Sequence, residues 1–341
     1  MRPKPHHSCV QARMGIIKSF VEKSLSFFRM GPIWVENLFF SLSSVVFGNT
    51  YIETLASSKA DTLHKEICLC DQELLKRNFE LSARQTIKKL NLKHVKVAID
   101  ITEDLFWGEG SEYTRASAHE HQLQSWQWVT LAVVDPCYVP LMSLPYRQTD
   151  NLDEIVFDLL RYLETLPLKI DLVLFDRGFY HWHIIDYLNG SRRGWGWPYL
   201  LLVPENKAMP KYAEQTEDFA YFVHEGDYGK EKSTWKPKTT ILVKRVNEKT
   251  CWFFATNQKP SIALIAQYRK RWNIETGFRV HDEARIKTKS TKPIIRYFYH
   301  LLSFIYLLSW ICKKRHSEIP FKLFLWQEQF RDIIYDVKAP T

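Results

Sequence analysis

The sequence lacks the regularly spaced cysteine and histidine pairs that hold structural zinc. Its six cysteines are scattered, and only His64, Cys68 and Cys70 fall close together, without a second ligand pair at zinc-finger spacing. This pattern favours reduced, mostly buried thiols in a cytoplasmic protein over a disulfide framework. A structural metal at these three residues is the open alternative.

Long apolar runs are missing as well. The stretches 33–47 and 297–312 are apolar, but both contain polar residues and fall short of the about 20 residues that span a bilayer. The basic N-terminus is not followed directly by an apolar segment with a small-residue cleavage site, so no signal peptide is predicted. We therefore expect no membrane partner and interpret both stretches as buried amphipathic helices.

Acidic residues are outnumbered by basic ones. The 341 residues include 47 Lys plus Arg against 38 Asp plus Glu, which gives a net charge of +9. A basic surface attracts polyanions, so nucleic acid is the first partner to consider and an anionic membrane the second. With 45% apolar and 25% charged residues, the composition is that of a globular protein long enough to bury a substantial core.

The first 95 or so residues read mainly as helix. The segment 18–30 is basic and aromatic, and the segment 71–90 has acids at its start followed by helical spacing. One interpretation is a small helical bundle. The other is a DNA-binding module in which Lys18, Lys23 and Arg29 face phosphate, and a basic helix face looks the same in both cases.

From residue 95 the pattern changes to alternating strands and helices. The predicted order is β-β-β-α-β-α-β, followed by a β-rich insertion and two long helices. The predicted strands are 95–101, 128–134, 138–144, 171–175 and 198–203, with 239–246 and 250–255 in the insertion, and the predicted helices are 151–166, 181–188, 261–285 and 293–314. We expect an α/β core interrupted by the insertion.

Three carboxylates stand where such a core could bring them together. Asp100 lies near the end of the first predicted strand, 95–101. Asp176 stands at the end of the short strand 171–175, and Glu275 lies within the predicted helix 261–285. The carboxyl ends of strands in open α/β sheets are where ligands bind. Carboxylates suit Mg²⁺, and two such ions support in-line displacement at phosphorus.

Simpler explanations exist for each of these acids. Asp176 could cap the helix that begins near His181, and Glu275 could pair with Arg271 or Arg279 at helical spacing. Spacing alone does not choose between these explanations and catalysis.

The sequence around the two aspartates resembles that of DDE transposases from bacterial and archaeal insertion sequences. The second-aspartate motif is matched by the stretch LFDRGFY around Asp176, followed by a helix that ends in DYL. The first-aspartate strand is matched by VAIDIT around Asp100, with Trp107-Gly108 a few residues on. The motifs occur in the family's order.

The third motif resembles that of one particular group within this family. Tyr268, Arg271 and Glu275 reproduce the Y-x2-R-x3-E spine of the YREK-signature group, whose catalytic core carries a β-strand insertion, and Thr256-Asn257 upstream also fits. The signature asks for Lys seven residues after the glutamate, and this chain has Asp282. Arg279, Arg285 and Lys287 are the nearby candidates for the missing phosphate contact.

The resemblance implies an RNase H-like fold, a mixed sheet flanked by helices, with the β-rich insertion and a helical N-terminal region. It implies that Asp100, Asp176 and Glu275 are catalytic ligands of Mg²⁺ or Mn²⁺, two ions in all, and that Tyr268 and Arg271 contact DNA phosphate. The implied activity is that of an endonuclease and strand transferase. It cleaves DNA at the terminal inverted repeats of the element and joins the freed 3′-hydroxyl to target DNA.

The same resemblance sets expectations for organisation and partners. Residues 1–94 would form the helical region that binds DNA ends, 95–315 the catalytic domain with its insertion at about 207–258, and 316–341 a tail. The partners would be double-stranded DNA and a second copy of the chain, in the cytoplasm of a prokaryote at the nucleoid. Relatives with the insertion cleave through a DNA hairpin in which an aromatic holds a flipped base. Trp235 or Trp252 would be candidates, although Trp252 also fits strand packing.

Two other functions remain compatible with these residues. One is a repair or resolving nuclease on the same core that hydrolyses DNA without joining it. The other is a transposase-derived DNA-binding protein without catalysis, which the three intact acids argue against.

Overall fold

A computed structural model describes residues 15–25, 32–55, 57–118, 120, 123–190, 196–205, 208–226, 236–314 and 319–329. These residues divide into two compact units. The helical unit contains those within 1–91, 139–142 and 276–341, and the sheet unit contains those within 92–138 and 143–275.

The helices confirm most of the predicted helical segments. In chain order they are α1 Gly15–Ser24, α2 Pro32–Gly48, α3 Ser57–Cys68, α4 Gln72–Leu90, α5 Leu152–Glu164, α6 Trp182–Leu188, α7 Met209–Glu214, α8 Ile262–Gln267, α9 Trp272–Glu283, α10 Pro293–Lys314 and α11 Phe321–Gln329. Short 3₁₀ turns lie at Ile52–Thr54, Arg177–Phe179 and Tyr268–Arg271.

The strands include every predicted strand and two more. They are β1 His94–Phe106, β2 Arg115–Ala116, β3 Gln124–Asp135, β4 Val139–Pro145, β5 Lys169–Phe175, β6 Tyr199–Leu202, β7 Phe219–Glu225, β8 Lys238–Asn247 and β9 Thr250–Thr256. The two that were not predicted are β2 and β7.

The helical unit is built around α10, which packs against α1, α3 and α4. Stacked rings join Phe20 to Phe298, with centroids 5.9 Å apart, and Phe79 contacts Phe304 at 6.2 Å. Among the described residues, α10 is the one helix long and apolar enough to cross a membrane, and 78% of its most apolar window is buried inside the protein. Burial of this kind is that of a core helix.

The ends of α4 follow from local chemistry. The Asp71 carboxylate accepts a hydrogen bond from the Glu73 amide at 3.2 Å, which caps the helix N-terminus. Asn91 ends the helix in the left-handed region at φ 50°, a conformation that Asn tolerates better than most residues.

The sheet unit contains a mixed sheet, and β1 lies at its centre. On one side β1 pairs antiparallel with β3, and on the other it pairs parallel with β5, which pairs parallel with β6. Next to β3 lies β4, and the Ser143 hydroxyl of β4 lies 2.8 Å from the Thr130 hydroxyl of β3. The order β4-β3-β1-β5-β6, with α5 between β4 and β5, is the RNase H-like arrangement expected from the sequence.

The insertion continues the same sheet. Its strands β9, β8 and β7 follow β6 in that order, and each pairs antiparallel with the one before it. The predicted β-rich insertion is therefore confirmed, with three strands where the sequence indicated two.

Two predicted boundaries were wrong. The first strand continues past residue 101 to Phe106, so Asp100 lies in mid-strand rather than near its end. The single helix predicted at 261–285 is broken by the 3₁₀ turn Tyr268–Arg271. This turn touches β1, β3 and β5, so packing on the sheet takes precedence over regular helix here.

Candidate active site

Asp100 lies on β1, and Asp176 directly follows the neighbouring strand β5. The parallel register of β1 and β5 pairs Ile99 with Phe175, and the residue that follows each of these two is an aspartate. Strands in a sheet are about 4.8 Å apart, and registered residues of parallel strands point to the same face. Asp176 directly follows the last residue of β5, which leaves its side chain half-buried at the strand end.

Glu275 is brought to this place by α9 and the turn before it. The turn is fixed on the end of β3, because Lys270 Nζ lies 3.1 Å from Asp135 Oδ1 and Asn273 Nδ2 donates to the Val134 carbonyl at 2.7 Å. Lys96 of β1 contacts the other oxygen of Asp135 at 2.6 Å. These contacts hold the first turn of α9, and with it Glu275, on the sheet.

Arg271 joins two of the three carboxylates. Its Nη1 donates to Asp100 Oδ2 at 2.8 Å, and its Nη2 donates to Glu275 Oε1 at 2.5 Å. The Arg271 side chain is 8% exposed and that of Asp100 is 16% exposed, whereas that of Glu275 is 53% exposed. The bridge is therefore a buried ion pair at one end and a solvated one at the other.

The electrostatics of the site show how strongly Asp100 depends on a positive neighbour. Burial raises the pKa of Asp100 to about 6, even though the Arg271 guanidinium and the Ile101 amide both favour the carboxylate. Asp176 and Glu275 add repulsion in the same direction as burial. The pKa of Arg271 is raised: burial opposes its charge, but Tyr268 and the three acids outweigh burial.

Tyr268 lies beside Asp176. Its hydroxyl donates to the Phe175 carbonyl at 3.1 Å and lies 3.4 Å from Asp176 Oδ1. Its ring packs edge-on against Phe254 of β9 with centroids 5.0 Å apart, and the Arg271 guanidinium lies 5.5 Å from the ring centre. Burial raises the pKa of Tyr268, so it is a neutral hydrogen-bond donor at physiological pH.

Of the two simpler explanations for the acids, helix capping by Asp176 is wrong and ion pairing by Glu275 is confirmed. Asp176 begins the Arg177–Phe179 turn without a side-chain capping bond, and α6 begins after His181 instead, so the capping explanation is wrong. Glu275 does pair with Arg271 at i−4. That pairing does not separate the acid from the site, because the same guanidinium also binds Asp100.

The residues fit a divalent cation by donor type and charge. Carboxylate oxygens are what Mg²⁺ prefers, and a cationic group already bridges Asp100 and Glu275. Within the described part of the chain, however, no three His, Cys, Asp or Glu side chains are gathered closely enough to hold a metal ion. His64, Cys68 and Cys70, which lie within that described part, form no such group either, and Cys68 and Cys70 are free thiols.

The other predicted DNA-contacting residues lie in the helical unit. Arg279 is exposed on α9, while Arg285 and Lys287 are half-buried in the loop that follows. Asp282, which stands where the signature expects Lys, forms an ion pair with Arg285. Of the other basic candidates Lys23 is exposed, whereas the side chain of Lys18 and all of Arg29 lie outside the described residues, as does Trp235. Trp252 is 50% exposed on β9, so strand packing does not account for its whole side chain.

Sequence reasoning missed the residues that hold the site together. Lys270 and Asn273 carry no family signature. Lys270 lies in the Tyr268–Arg271 turn, and Asn273 lies in the first turn of α9 together with Glu275. Thr256 and Asn257 match the motif in sequence, and the structure shows what they contact. The Thr256 hydroxyl donates to the Tyr199 carbonyl at 2.6 Å, and Asn257 Nδ2 donates to the Trp197 carbonyl at 2.9 Å. Together they join β9 to β6.

Comparisons with known proteins give a family match and a similar fold. A family model described as a transposase DDE domain matches residues 115–295, more than half of the chain. The match includes Asp176 and Glu275 and begins after Asp100. No curated protein matches the chain. The cryo-EM structure of the piggyBac transposase synaptic complex with hairpin DNA is similar in fold, with a TM-score of 0.61 at 11% identity, and the similarity covers 98% of this chain and 82% of that one.

Proposed function

The chain belongs to the transposase DDE domain family, and on that premise we propose how it acts on DNA. It cuts DNA at the ends of its element and joins the freed 3′-hydroxyl to target DNA. Asp100, Asp176 and Glu275 are the catalytic acids, and they hold two divalent ions, Mg²⁺ or Mn²⁺. That the protein is a DNA transposase follows from the family; the two-ion chemistry and the individual residues are the proposal.

The observation that carries the proposal is the meeting of acids from three separate elements. Asp100 from β1 and Glu275 from α9 both accept hydrogen bonds from the Arg271 guanidinium, and Asp176 follows the end of β5, the strand that pairs with β1. Carboxylates repel one another, and burial adds to that cost for Asp100. A positive charge offsets that cost, supplied by Arg271 within the chain and, in the proposed function, by divalent ions.

The roles of the surrounding residues follow from their contacts. Divalent ions at this place would activate the attacking hydroxyl and stabilise the leaving oxygen. Tyr268 orients Asp176 through its hydroxyl, and Lys270 with Asn273 fixes the turn that carries Glu275. Arg271 and Tyr268 are also the family's phosphate-contact positions. Arg279, Arg285 and Lys287 extend the basic character along the chain beyond Glu275.

DNA is the partner that charge and family favour. Ten Lys or Arg stand between Lys259 and Arg296 against three acids, so binding to phosphate should be strong and salt-dependent. We further propose that residues 1–94 bind the element ends, that 95–315 form the catalytic domain and that 316–341 form a tail. We also propose that the active complex is a homodimer on two DNA ends and that it works in the cytoplasm at the nucleoid.

A strand-transfer assay tests the proposal. The substrate is a duplex that ends in the inverted-repeat sequence flanking the gene, incubated with target plasmid and Mg²⁺ or Mn²⁺. A transposase yields both cleaved ends and joined products. Cleaved ends without joining would identify a nuclease on the same core, and DNA binding without either product would identify a silent DNA-binding protein.

A further inference from the structure

Arg271 donates hydrogen bonds to one oxygen of Asp100 and to one oxygen of Glu275. We propose that Arg271 is a built-in counter-ion for the catalytic acids, which must withdraw from Asp100 and Glu275 before a divalent cation can bind, and which thereby sets the metal affinity of the DNA-free protein. This inference rests on the proposed function, because it takes these carboxylates as the metal ligands.

The acids need a positive charge whenever they are ionised. The side chain of Asp100 is 16% exposed, Asp176 follows the end of the neighbouring strand β5, and Glu275 shares the guanidinium that binds Asp100. An unpaired buried charge is strongly destabilising, whereas a paired and hydrogen-bonded one is tolerated. The guanidinium supplies that pairing within the chain itself.

A cation and the guanidinium compete for the same oxygens. Arg271 uses Asp100 Oδ2 and Glu275 Oε1, one atom from each carboxylate, through two donors of one rigid planar group. A divalent ion between these carboxylates would lie within a few ångströms of the guanidinium, where like charges repel strongly.

The two halves of the bridge differ in strength. The contact with Asp100 joins two buried side chains, while Glu275 is 53% exposed. Exposed ion pairs are weak because water competes for both partners. The bridge therefore opens first at Glu275. Nε of Arg271 is buried and has no hydrogen-bond partner among the described residues, so it remains a spare donor for an incoming acceptor.

Binding of Mn²⁺ to the DNA-free full-length protein tests the inference without recourse to catalysis. Free Mn²⁺ is measured by electron paramagnetic resonance during titration of wild type, Arg271→Gln and Arg161→Gln. Arg161 is the matched control, an arginine on α5 that pairs with Asp158 rather than with the three acids. We expect Mn²⁺ to bind about tenfold tighter to Arg271→Gln and to bind Arg161→Gln about as it binds wild type.

Thermal unfolding provides the second measurement. Without metal, Arg271→Gln should melt at a lower temperature than wild type because its acids are unbalanced, and Mn²⁺ should raise that temperature by more than it does for wild type. A folded Arg271→Gln that binds Mn²⁺ no tighter than wild type would overturn the inference. Asp100→Asn tests the proposed metal site separately from the counter-ion role of Arg271. Loss of Mn²⁺ binding in this variant supports the metal site, whatever Arg271 does. Unchanged binding overturns both the metal site and the counter-ion role.

Discussion

The Tyr268 hydroxyl lies 3.1 Å from the carbonyl oxygen of Phe175, the residue immediately before Asp176. Through this bond the turn before α9 is fixed to the end of β5, where Asp176, the second of the proposed catalytic acids, begins the next loop. The distance between the hydroxyl and Asp176 Oδ1 is 3.4 Å, so one side chain constrains both the backbone and the carboxylate.

Replacing Tyr268 with Phe should separate orientation from stability. The change removes the hydroxyl and keeps the ring against Phe254, so we expect a loss of about 1 kcal/mol in the free energy of unfolding and a fall of about tenfold in cleavage rate. Tyr212→Phe is the matched control, because its hydroxyl lies 3.1 Å from His224 Nδ1 on the insertion. Denaturant unfolding and single-turnover cleavage measure the two effects. Equal cleavage losses in both variants would contradict an orienting role for Tyr268.

The three acids should be separately essential. Asp100→Asn, Asp176→Asn and Glu275→Gln keep side-chain size but remove charge, so we expect Mg²⁺-dependent cleavage to fall by about a thousandfold or more in each. DNA binding should remain largely intact in gel-shift assays. Asp218→Asn, an exposed acid that pairs with Lys244 on the insertion, should cleave normally. Full cleavage by any one of the three would remove that residue from the site.

DNA affinity should fall steeply as salt rises, because bound phosphates release counterions. Arg279→Gln and Lys287→Gln should each lower the slope of log affinity against log salt by about 1 if the residue contacts phosphate. Arg161→Gln on α5, a surface arginine paired with Asp158, should leave the slope unchanged. Fluorescence anisotropy at several salt concentrations gives the slopes. An affinity of the wild type that does not depend on salt would contradict phosphate contact altogether.

Stability should fall in acid because of two buried histidines in the helical unit. Burial lowers the pKa of His281 to about 3, with added repulsion from Arg285, and burial also lowers the pKa of His300. Between about pH 6.5 and 3 the unfolded chain takes up a proton that folded His281 excludes. The free energy of unfolding should therefore drop as pH falls through this range, by about 1.4 kcal/mol per pH unit for each such proton.

Urea unfolding at pH 7 and pH 5 measures this dependence. His281→Phe keeps an aromatic ring against Phe304, whose centroid is 3.9 Å from that of His281, and removes one of the titrating groups. The variant should lose less stability between the two pH values than the wild type does. The same loss in both proteins would show that His281 does not titrate on unfolding.

Periodicity predicted the core elements because burial leaves a direct record in residue type. The strand at Val95 and the helix at Pro293–Lys314 have nearly continuous apolar faces, and both were found. Beyond Ile101, β1 carries Thr102, Glu103 and Asp104, so its second half looked like loop. β7 was missed because the polar and charged residues around it obscured its alternation.

The position of the acids was predictable from motif, but their electrostatic setting was not. Nothing in the spacing of Arg271 shows that its guanidinium reaches Asp100, 171 residues away in sequence. That contact depends on the 3₁₀ turn, which local propensity did not indicate. Long-range packing of the turn on three strands decides the outcome, and packing of this kind leaves no periodic pattern in one sequence.

Because β9 joins β6 along its length, the insertion cannot be removed as a module. Without the insertion, the backbone of the apolar strand β6, Tyr199–Leu202, would have no neighbouring strand on that side. An unpaired apolar edge is a template for association with other chains. A shortened transposase that ends its sheet at β6 should therefore precipitate, and engineering of a smaller enzyme has to supply a new edge before it alters the chemistry.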